Sequence, residues 1–458
     1  MTKSLFNQFE EVSSKAWKQK IQVDLKGADY NDTLIWKTYD DIDVKPFYHA
    51  DQFEALPLIS NTNITDWKVC QTIVVKNTKE ANTKAHEVIK TGAESILFIV
   101  ENEVTLKELI TGLNLKNISV DINIEHLTSS LVEQIEALSK ISANDNINFN
   151  VDIIGHIAKT GNWYSSLKED HSNFEKILRA TGHISIDTRL YHNSGANNVQ
   201  QLAYAMAHIH EYLNHFEETL IKDDNKDLQV TFLMAVGSNY FFEIAKLRAL
   251  RKLWAALALE YKVNSNCRIL STPSKRNKTI YDYNVNMLRT TTECMSAIIG
   301  GSDIVSNLAY DALYHKDNEF GSRIARNQLL ILKHESYFDK VNNPADGAYY
   351  IEKITSQLAE KALDLFKDIE ANGGFLSQLK EGTIQRKIKE SASKEQDDFD
   401  NGKLVLLGSN KHPNTDDKMK NELDISPFLK VDKRKTLIEP IIEKRLSEKL
   451  EISRLNDE

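Results

Sequence analysis

A closed (β/α)8 barrel, with a helical extension before it and a helical tail after it, is the fold this sequence predicts. Three observations predict it. From about residue 86, short apolar and β-rich runs alternate with longer amphipathic stretches, the pattern of parallel strands joined by helical crossovers. These units recur often enough to fill the ~250 to 300 residues of a closed barrel, which favours closure over an open doubly wound sheet, the main competitor. The length of 458 residues exceeds a usual domain but is within reach of a barrel with insertions.

Residues 1–85 read as an N-terminal extension. Within it Phe6, Phe9, Val12, Ala16 and Ile21 recur at three- to five-residue intervals between polar residues. That spacing predicts an amphipathic helix, and its apolar stripe needs a surface, either the chain's own barrel or a partner subunit. The barrel is expected over residues 86–412. Its strands are SILFIV at 95–100, ISVDINI at 118–124, INFNVDII at 147–154, HISIDTRLY at 183–191, VTFLMAV at 230–236, CRIL at 267–270 and SDIVSN at 302–307. Gly237-Ser238-Asn239 supplies turn and N-cap chemistry before the helix-forming run EIAKLRALRKLWAAL, the clearest strand-to-helix junction. Gly300-Gly301 ends a helix with the residue a left-handed C-cap needs. Residues 411–428 are polar, contain Pro413 and Pro427, and read as an irregular connection. The tail, 413–458, closes on a charged amphipathic helix interrupted by Pro440.

An apolar share of 41% and a charged share of 27% belong to an ordinary globular chain with material for a large core. The formal net charge of -9 argues against a nucleic-acid polyanion as the principal partner. Cys70, Cys267 and Cys294 are too few and too scattered for a disulfide framework or a thiolate metal site, which suits a reducing compartment. No run approaches ~18 continuous apolar residues and the N-terminus lacks a signal-peptide pattern, so the expectation is a cytoplasmic protein with no membrane partner.

A barrel enzyme places its chemistry at the C-terminal ends of its strands, so Tyr191-His192-Asn193-Ser194-Gly195 is the first place to look. The Tyr-His pair could do acid/base work; the plainer reading is that it caps a strand by hydrogen bonds. His208 and His210 are two apart on a helix and therefore on different faces, unlike the i,i+4 pair that shares a metal. Lys275, Arg276 and Lys278 could contact phosphates but read more simply as a solvated loop. No Walker sequence, dinucleotide fingerprint or G-x-S-x-G elbow occurs, and the residues alone leave the chemistry open.

Longer stretches carry a resemblance. NMLRTTTECMSAIIGGSD, FGSRIARNQLLILKHES, NNPADGAYYIEKIT, IEANGGF and a final strand VLLGSNKH follow one another between Asn286 and His412. With FLMAVGSNYFFEIAKLRALRKLWAAL and LIWKTYDDIDVKPFYHADQ upstream, these resemble the adenosylcobalamin-dependent methylmalonyl-CoA mutase family over nearly the whole chain, and within it the small subunits. The resemblance implies a barrel that in catalytic chains admits the pantetheine arm of an acyl-CoA along its axis, followed by a flavodoxin-like cobalamin domain. No histidine here has an aspartate two residues before it, so the cobalt-ligating D-x-H-x-x-G sequence is missing and no cobalamin-binding domain is expected. Cys70, in DWKVCQ, stands where the family's substrate-gripping run carries arginine. The family's glycine-rich Q-T-S-G segment is replaced by LSTPSKRNK, and its H-T-N signature is reduced to VSN at 305–307.

Tyr191 and His192 match the family's catalytic Tyr-His pair, in which the tyrosine aids radical formation and the histidine bonds the thioester carbonyl. Here the resemblance implies that they are vestigial. It further implies a non-catalytic small subunit that binds no cofactor or metal itself, paired in a heterodimer with a large catalytic subunit that holds adenosylcobalamin and interconverts methylmalonyl-CoA and succinyl-CoA. The alternatives are an acyl-CoA-binding catalytic barrel that works with a separate cobalamin-binding chain, and a mutase-associated chaperone or regulatory protein.

Overall fold

Apolar runs too short for a buried helix become strands when helices cover one face, and eight such strands build the sheet of this computed structural model. The structure describes residues 8–55, 60, 62–141, 146–217, 228–429 and 434–458. The barrel strands are β1 (Lys68–Val74), β2 (Ser95–Val100), β3 (Ser119–Ile124), β4 (Ile147–Asn150), β5 (His183–Asp187), β6 (Gln229–Val236), β7 (Arg268–Pro273) and β8 (Ile304–Ser306). They run in parallel in the order β4-β3-β2-β1-β8-β7-β6-β5, with Val120 opposite Ile147, Ile304 opposite Lys68 and Thr231 opposite Arg268. No ladder joins β4 to β5 among the described residues, yet the seam is bridged. His183 Nδ1 lies 3.3 Å from the Phe149 carbonyl, Ser185 Oγ donates to the Val151 carbonyl at 3.4 Å, and the Asp187 amide donates to the Asp152 carboxylate at 2.9 Å. The result is a nearly closed (β/α)8 barrel.

Alternation along each strand separates two environments. Val69, Ile96, Phe98, Ile122, Ile184 and Phe232 point outward and form the main core with the helices. Inside, Cys70, Leu97, Leu270 and Ile304 form a separate small cluster. The other inward positions are mostly small and polar, with Ser95, Ser119, Ser185, Thr231 and Ser306, where a packed barrel usually carries branched aliphatics.

The helices follow their local signals. Asn77 caps Thr78–Lys90, Ser166 caps Leu167–Thr181, which ends at Gly182 with φ +62°, and Asn197 forms a capping box with Gln200 at the start of Asn198–Phe216. Tyr240–Tyr261 begins after Gly237-Ser238-Asn239 as expected, although the Asn239 side chain makes no capping bond. Tyr349–Ala371 packs on both Asn198–Phe216 and Tyr240–Tyr261. No described helix is long and apolar enough to cross a membrane.

Several expectations are corrected. The sheet starts at Lys68, so a division at residue 86 cuts through the helix Thr78–Lys90 of its first unit; KVCQTIV mixes polar and apolar residues because it faces both the lumen and the helices. VLLGSNKH forms no strand, only an isolated bridge between Leu407 and Lys411. The runs at 147–154 and 183–191 end as strands at Asn150 and Asp187, because Asp152 caps the helix Ile153–Thr160 and Thr188 opens the short helix Arg189–Asn193. Among the described residues the tail is helical only over Glu448–Asp457; residues 434–446 are irregular, since Pro440 and the docking described below replace helical hydrogen bonds. In the N-terminal extension, Phe6 lies outside the described residues, and the helix is Ser14–Asp24, with no buried residue. Its Trp17 meets the Phe47 ring at 5.8 Å yet stays 52% exposed.

Candidate functional site

The turn after β5 is fixed by Arg189, which forms a bidentate pair with Asp187 at 2.8 and 2.6 Å. Burial would raise the Asp187 carboxyl, but the charge and hydrogen bonds of Arg189 outweigh it and hold the group below its ordinary value. The helix that follows, Arg189–Asn193, sends its two candidate residues different ways.

Tyr191 is fully buried, among Tyr204 and Phe375. Its hydroxyl donates to Nδ1 of His208 at 2.9 Å, and Nε2–H of His208 donates to Asp152 at 2.9 Å. Tyr212 donates to the same carboxylate at 2.8 Å. Burial pushes the Tyr191 hydroxyl well above its ordinary value. Both ring nitrogens of His208 are thus engaged, and His210 lies apart from it, 2.9 Å from Glu370.

His192 lines a cavity of about 480 Å3 at the C-terminal ends of β5, β6 and β7. Other walls come from Trp36–Asp40, from Gly237 to Asn239, and from Arg276 and Asn277. Nδ1 of His192 is 3.2 Å from Gln201 Oε1, and Lys246 Nζ donates to that same oxygen at 2.8 Å. Lysine needs an acceptor, which fixes the amide orientation and makes Nδ1–H of His192 a donor. Burial, with the nearby Lys246 charge, pushes His192 well below its ordinary value, so the ring is neutral and Nε2 is left as an acceptor. Lys246 is fully buried and pairs with Glu243 at 2.6 Å. A Cβ on Gly237 would lie 2.8 Å from His192 Cε1, so any side chain there would displace the ring.

The basic cluster after β7 is not a solvated loop. Arg276 and Lys278 are buried, Arg276 paired with Glu395 and Lys278 with Glu293 at 2.7 Å; Lys275 alone is exposed. Burial pushes Lys278 down and Glu293 up from their ordinary values.

Two features went unseen in the sequence. The first is in the lumen. Arg268, which opens β7, reaches Asp121 on β3 through two hydrogen bonds at 2.5 and 2.6 Å and adds one to Ser119 Oγ at 3.0 Å. In the strand order β3 and β7 are four steps apart in a ring of eight, so this ion pair spans the barrel axis. Cys70 is in the same lumen, its thiol pushed up to about 12 by burial and by the Asp121 charge. The second is a strap. Residues 434–446 cross the C-terminal mouth, donating from Leu437 to the Gly161 carbonyl at 3.0 Å, from Ile441 to Ala158 at 2.7 Å, from Lys444 to Asn193 at 3.1 Å and from Leu446 to Arg276 at 3.0 Å.

Strand ends, cavity and strap together define a (β/α)8-barrel protein of the enzyme type whose catalytic end is covered by its own chain. Residues 99–453 match the family model described as methylmalonyl-CoA mutase, and the chain belongs to that family. It is 33% identical over 443 residues to a methylmalonyl-CoA mutase small subunit of Porphyromonas gingivalis, covering 90% of this chain and 71% of that one. It is 35% identical to a methylmalonyl-CoA mutase of Rhizobium meliloti and 32% identical to a methylmalonyl-CoA mutase large subunit of Streptomyces virginiae, covering 50% of this chain in each case. The chain spans 33% and 32% of the length of those two relatives.

Proposed function

We propose that this chain is the non-catalytic small subunit of a heterodimeric methylmalonyl-CoA mutase, in which a large subunit interconverts methylmalonyl-CoA and succinyl-CoA through radicals supplied by adenosylcobalamin. The observation that carries this reading is the Arg268–Asp121 pair across the barrel axis, the path on which the family resemblance would lay a pantetheine arm. An arm threading there would separate two charges in a lumen where Asp121 is fully buried, at a cost of several kcal/mol. The strap over the mouth and the Cys70 substitution support the same reading. So does His192: a neutral ring whose Nδ1–H is given to Gln201 has no Nε2–H to offer a thioester carbonyl. Tyr191 faces away from the cavity.

The residues present do not fit the cobalamin. The D-x-H-x-x-G run that the family resemblance ties to cobalamin does not occur in the sequence, since no histidine has an aspartate two residues before it, and the cofactor would be held by the large subunit. No step in this chain is routed through the cofactor. Residues 1–85 would supply the subunit contact through the helix Ser14–Asp24, whose uncovered Trp17 and Val23, with Val12 just before it, need a partner surface. The large subunit is that partner, and the complex would work in the cytoplasm.

Co-expression with a full-length mutase subunit, with isomerase activity and complex mass measured for the pair and for each chain alone, tests the proposal. A one-to-one complex with activity only in the pair or in the large chain is expected. Cobalamin-dependent turnover by this chain with a free cobalamin-binding chain would make it a catalytic barrel, and transient, nucleotide-dependent contact would make it a chaperone.

A further inference from the structure

The short hairpin in the N-terminal extension contributes five consecutive residues, Trp36 through Asp40, to one wall of the His192 cavity. Its ladder is only two residue pairs, Trp36 with Val44 and Lys37 with Asp43. A two-stranded ribbon that short does not hold itself in place, so its position is set by what it touches. Ile42, beside the tip, and Val44, in the ladder, are buried, and Trp36 meets the Phe242 ring edge-on at 5.8 Å. At its tip the Tyr39 hydroxyl donates to Asp398 at 2.8 Å and Asn197 Nδ2 donates to the Tyr39 carbonyl at 2.8 Å. Asp40 accepts from Asn198 Nδ2 at 3.0 Å and from the Val199 amide at 3.2 Å. Tyr39 is 42% exposed and Asp40 only 5%, which makes Asp40 the contact most sensitive to its surroundings.

We propose that the hairpin is a proton-linked lid over the His192 cavity, latched by Asp40 on the first turn of the helix Asn198–Phe216. The charges around the latch do not neutralise it. Lys246, on the helix Tyr240–Tyr261, attracts the Asp40 carboxylate but is already paired with Glu243. His192 is neutral, and Arg276 is paired with Glu395. Asp398 and Glu395, on the helix Thr383–Asp400, add negative charge to the same cavity, while Lys37 and Lys403 complete its charged lining. Burial therefore dominates and pushes the Asp40 carboxyl up to about 6, against an ordinary value of 3.8 for a released hairpin. The seated lid thus binds the proton more tightly than the open one. Closure is firmest below the ordinary value and weakens as pH rises through about 6. The lid governs access by small molecules to the cavity and stands whether or not this chain is catalytic.

Hydrogen exchange of the full chain at pH 5 and pH 8, corrected for intrinsic rates, tests the latch on the amides of Thr38 and Ile42, which bond across the hairpin tip. Protection at pH 5 should exceed that at pH 8 by about tenfold, with the interior of the helix Asn198–Phe216 unchanged. Asp40→Asn should keep the protection and lose its pH dependence; Asp40→Ala should lose protection at both values. Equal protection at the two pH values in the natural chain, or a dependence that survives in Asp40→Asn, overturns the proposal. A second readout is thiol labelling at fixed pH of Ser274→Cys, a buried cavity position in a chain whose native cysteines are all buried. Labelling should be faster when Asp40→Ala is added, and an unchanged rate counts against the lid.

Discussion

Asp121→Ala is the sharpest probe of the closed lumen. The substitution removes both hydrogen bonds between Asp121 and Arg268 and strands the guanidinium inside the barrel. Breaking a buried pair by deleting one partner costs about 3–5 kcal/mol. Two facts place this case near the lower end, at about 3 kcal/mol. The Arg268 side chain is 21% exposed, against 0% for Asp121, and it keeps Ser119 Oγ as an acceptor at 3.0 Å. Urea unfolding followed by far-UV circular dichroism should show the midpoint fall with the slope unchanged. The double variant Asp121→Leu with Arg268→Met, which fills the axis with apolar atoms, should recover most of the loss and give a coupling energy of about 2 kcal/mol or more. A cost for Asp121→Ala below about 1 kcal/mol would mean a wet, screened pair. The lumen would then be open enough for a slender ligand, and the main physical argument against acyl-CoA binding would fail. Calorimetry with coenzyme A on the natural chain should accordingly show no saturable binding.

Other outcomes follow from the same geometry. Tyr191→Phe removes the donor to His208 and leaves a buried ring nitrogen unsatisfied; it should cost about 1–3 kcal/mol of stability and leave the isomerase activity of the assembled complex unchanged. His183 is held by burial at about 4, below its ordinary 6.5, so its contribution is present above 6.5 and is lost as pH falls through about 4. That is about 3 kcal/mol, visible as a shallower acid limb in His183→Gln; His156, lowered to about 4 in the same direction, remains in both proteins and cancels in the difference. Trp17→Ala should leave the urea midpoint of the free chain unchanged but weaken the complex with the large subunit by about 2 kcal/mol, roughly thirtyfold in Kd by titration. Gly237→Ala drives a Cβ into His192 and should cost about 1–3 kcal/mol by overpacking.

The strands that were legible in the sequence are those buried on both faces by apolar residues. SILFIV and VTFLMAV announce themselves because they are continuous apolar runs. KVCQTIV does not, because Gln71 faces the helix layer, where it accepts from Arg326, while Thr72 faces the small polar lumen beside Ser306, so polar residues fall on both faces and the alternation is weak. The same lumen chemistry that conceals β1 distinguishes this barrel from an aliphatic-filled one. The tail misled for a different reason. Its spacing of Leu437, Ile438, Ile441, Ile442 and Leu446 suits a helix, yet Leu437 and Ile442 are exposed while Ile438, Ile441 and Leu446 are buried on the barrel mouth. Tertiary hydrogen bonds to Gly161, Ala158, Asn193 and Arg276 replaced local ones, and no local pattern encodes partners so far away in the chain.

The site was legible as a location and illegible as a mechanism. Tyr191 and His192 are adjacent in sequence, and adjacency says nothing about direction; one side chain lies in the helix layer and the other at the cavity. The tautomer of His192 depends on Lys246, which is on a different helix and acts through Gln201. A signal for the closed axis did exist: Asp121 is a lone carboxylate within SVDINI, and a charge in a doubly covered strand demands a buried partner. That partner is 147 positions away, on the opposite wall of the barrel. The charge can therefore be flagged from the sequence alone, while the strut it forms exists only once the barrel closes and brings β3 and β7 to opposite sides of one lumen.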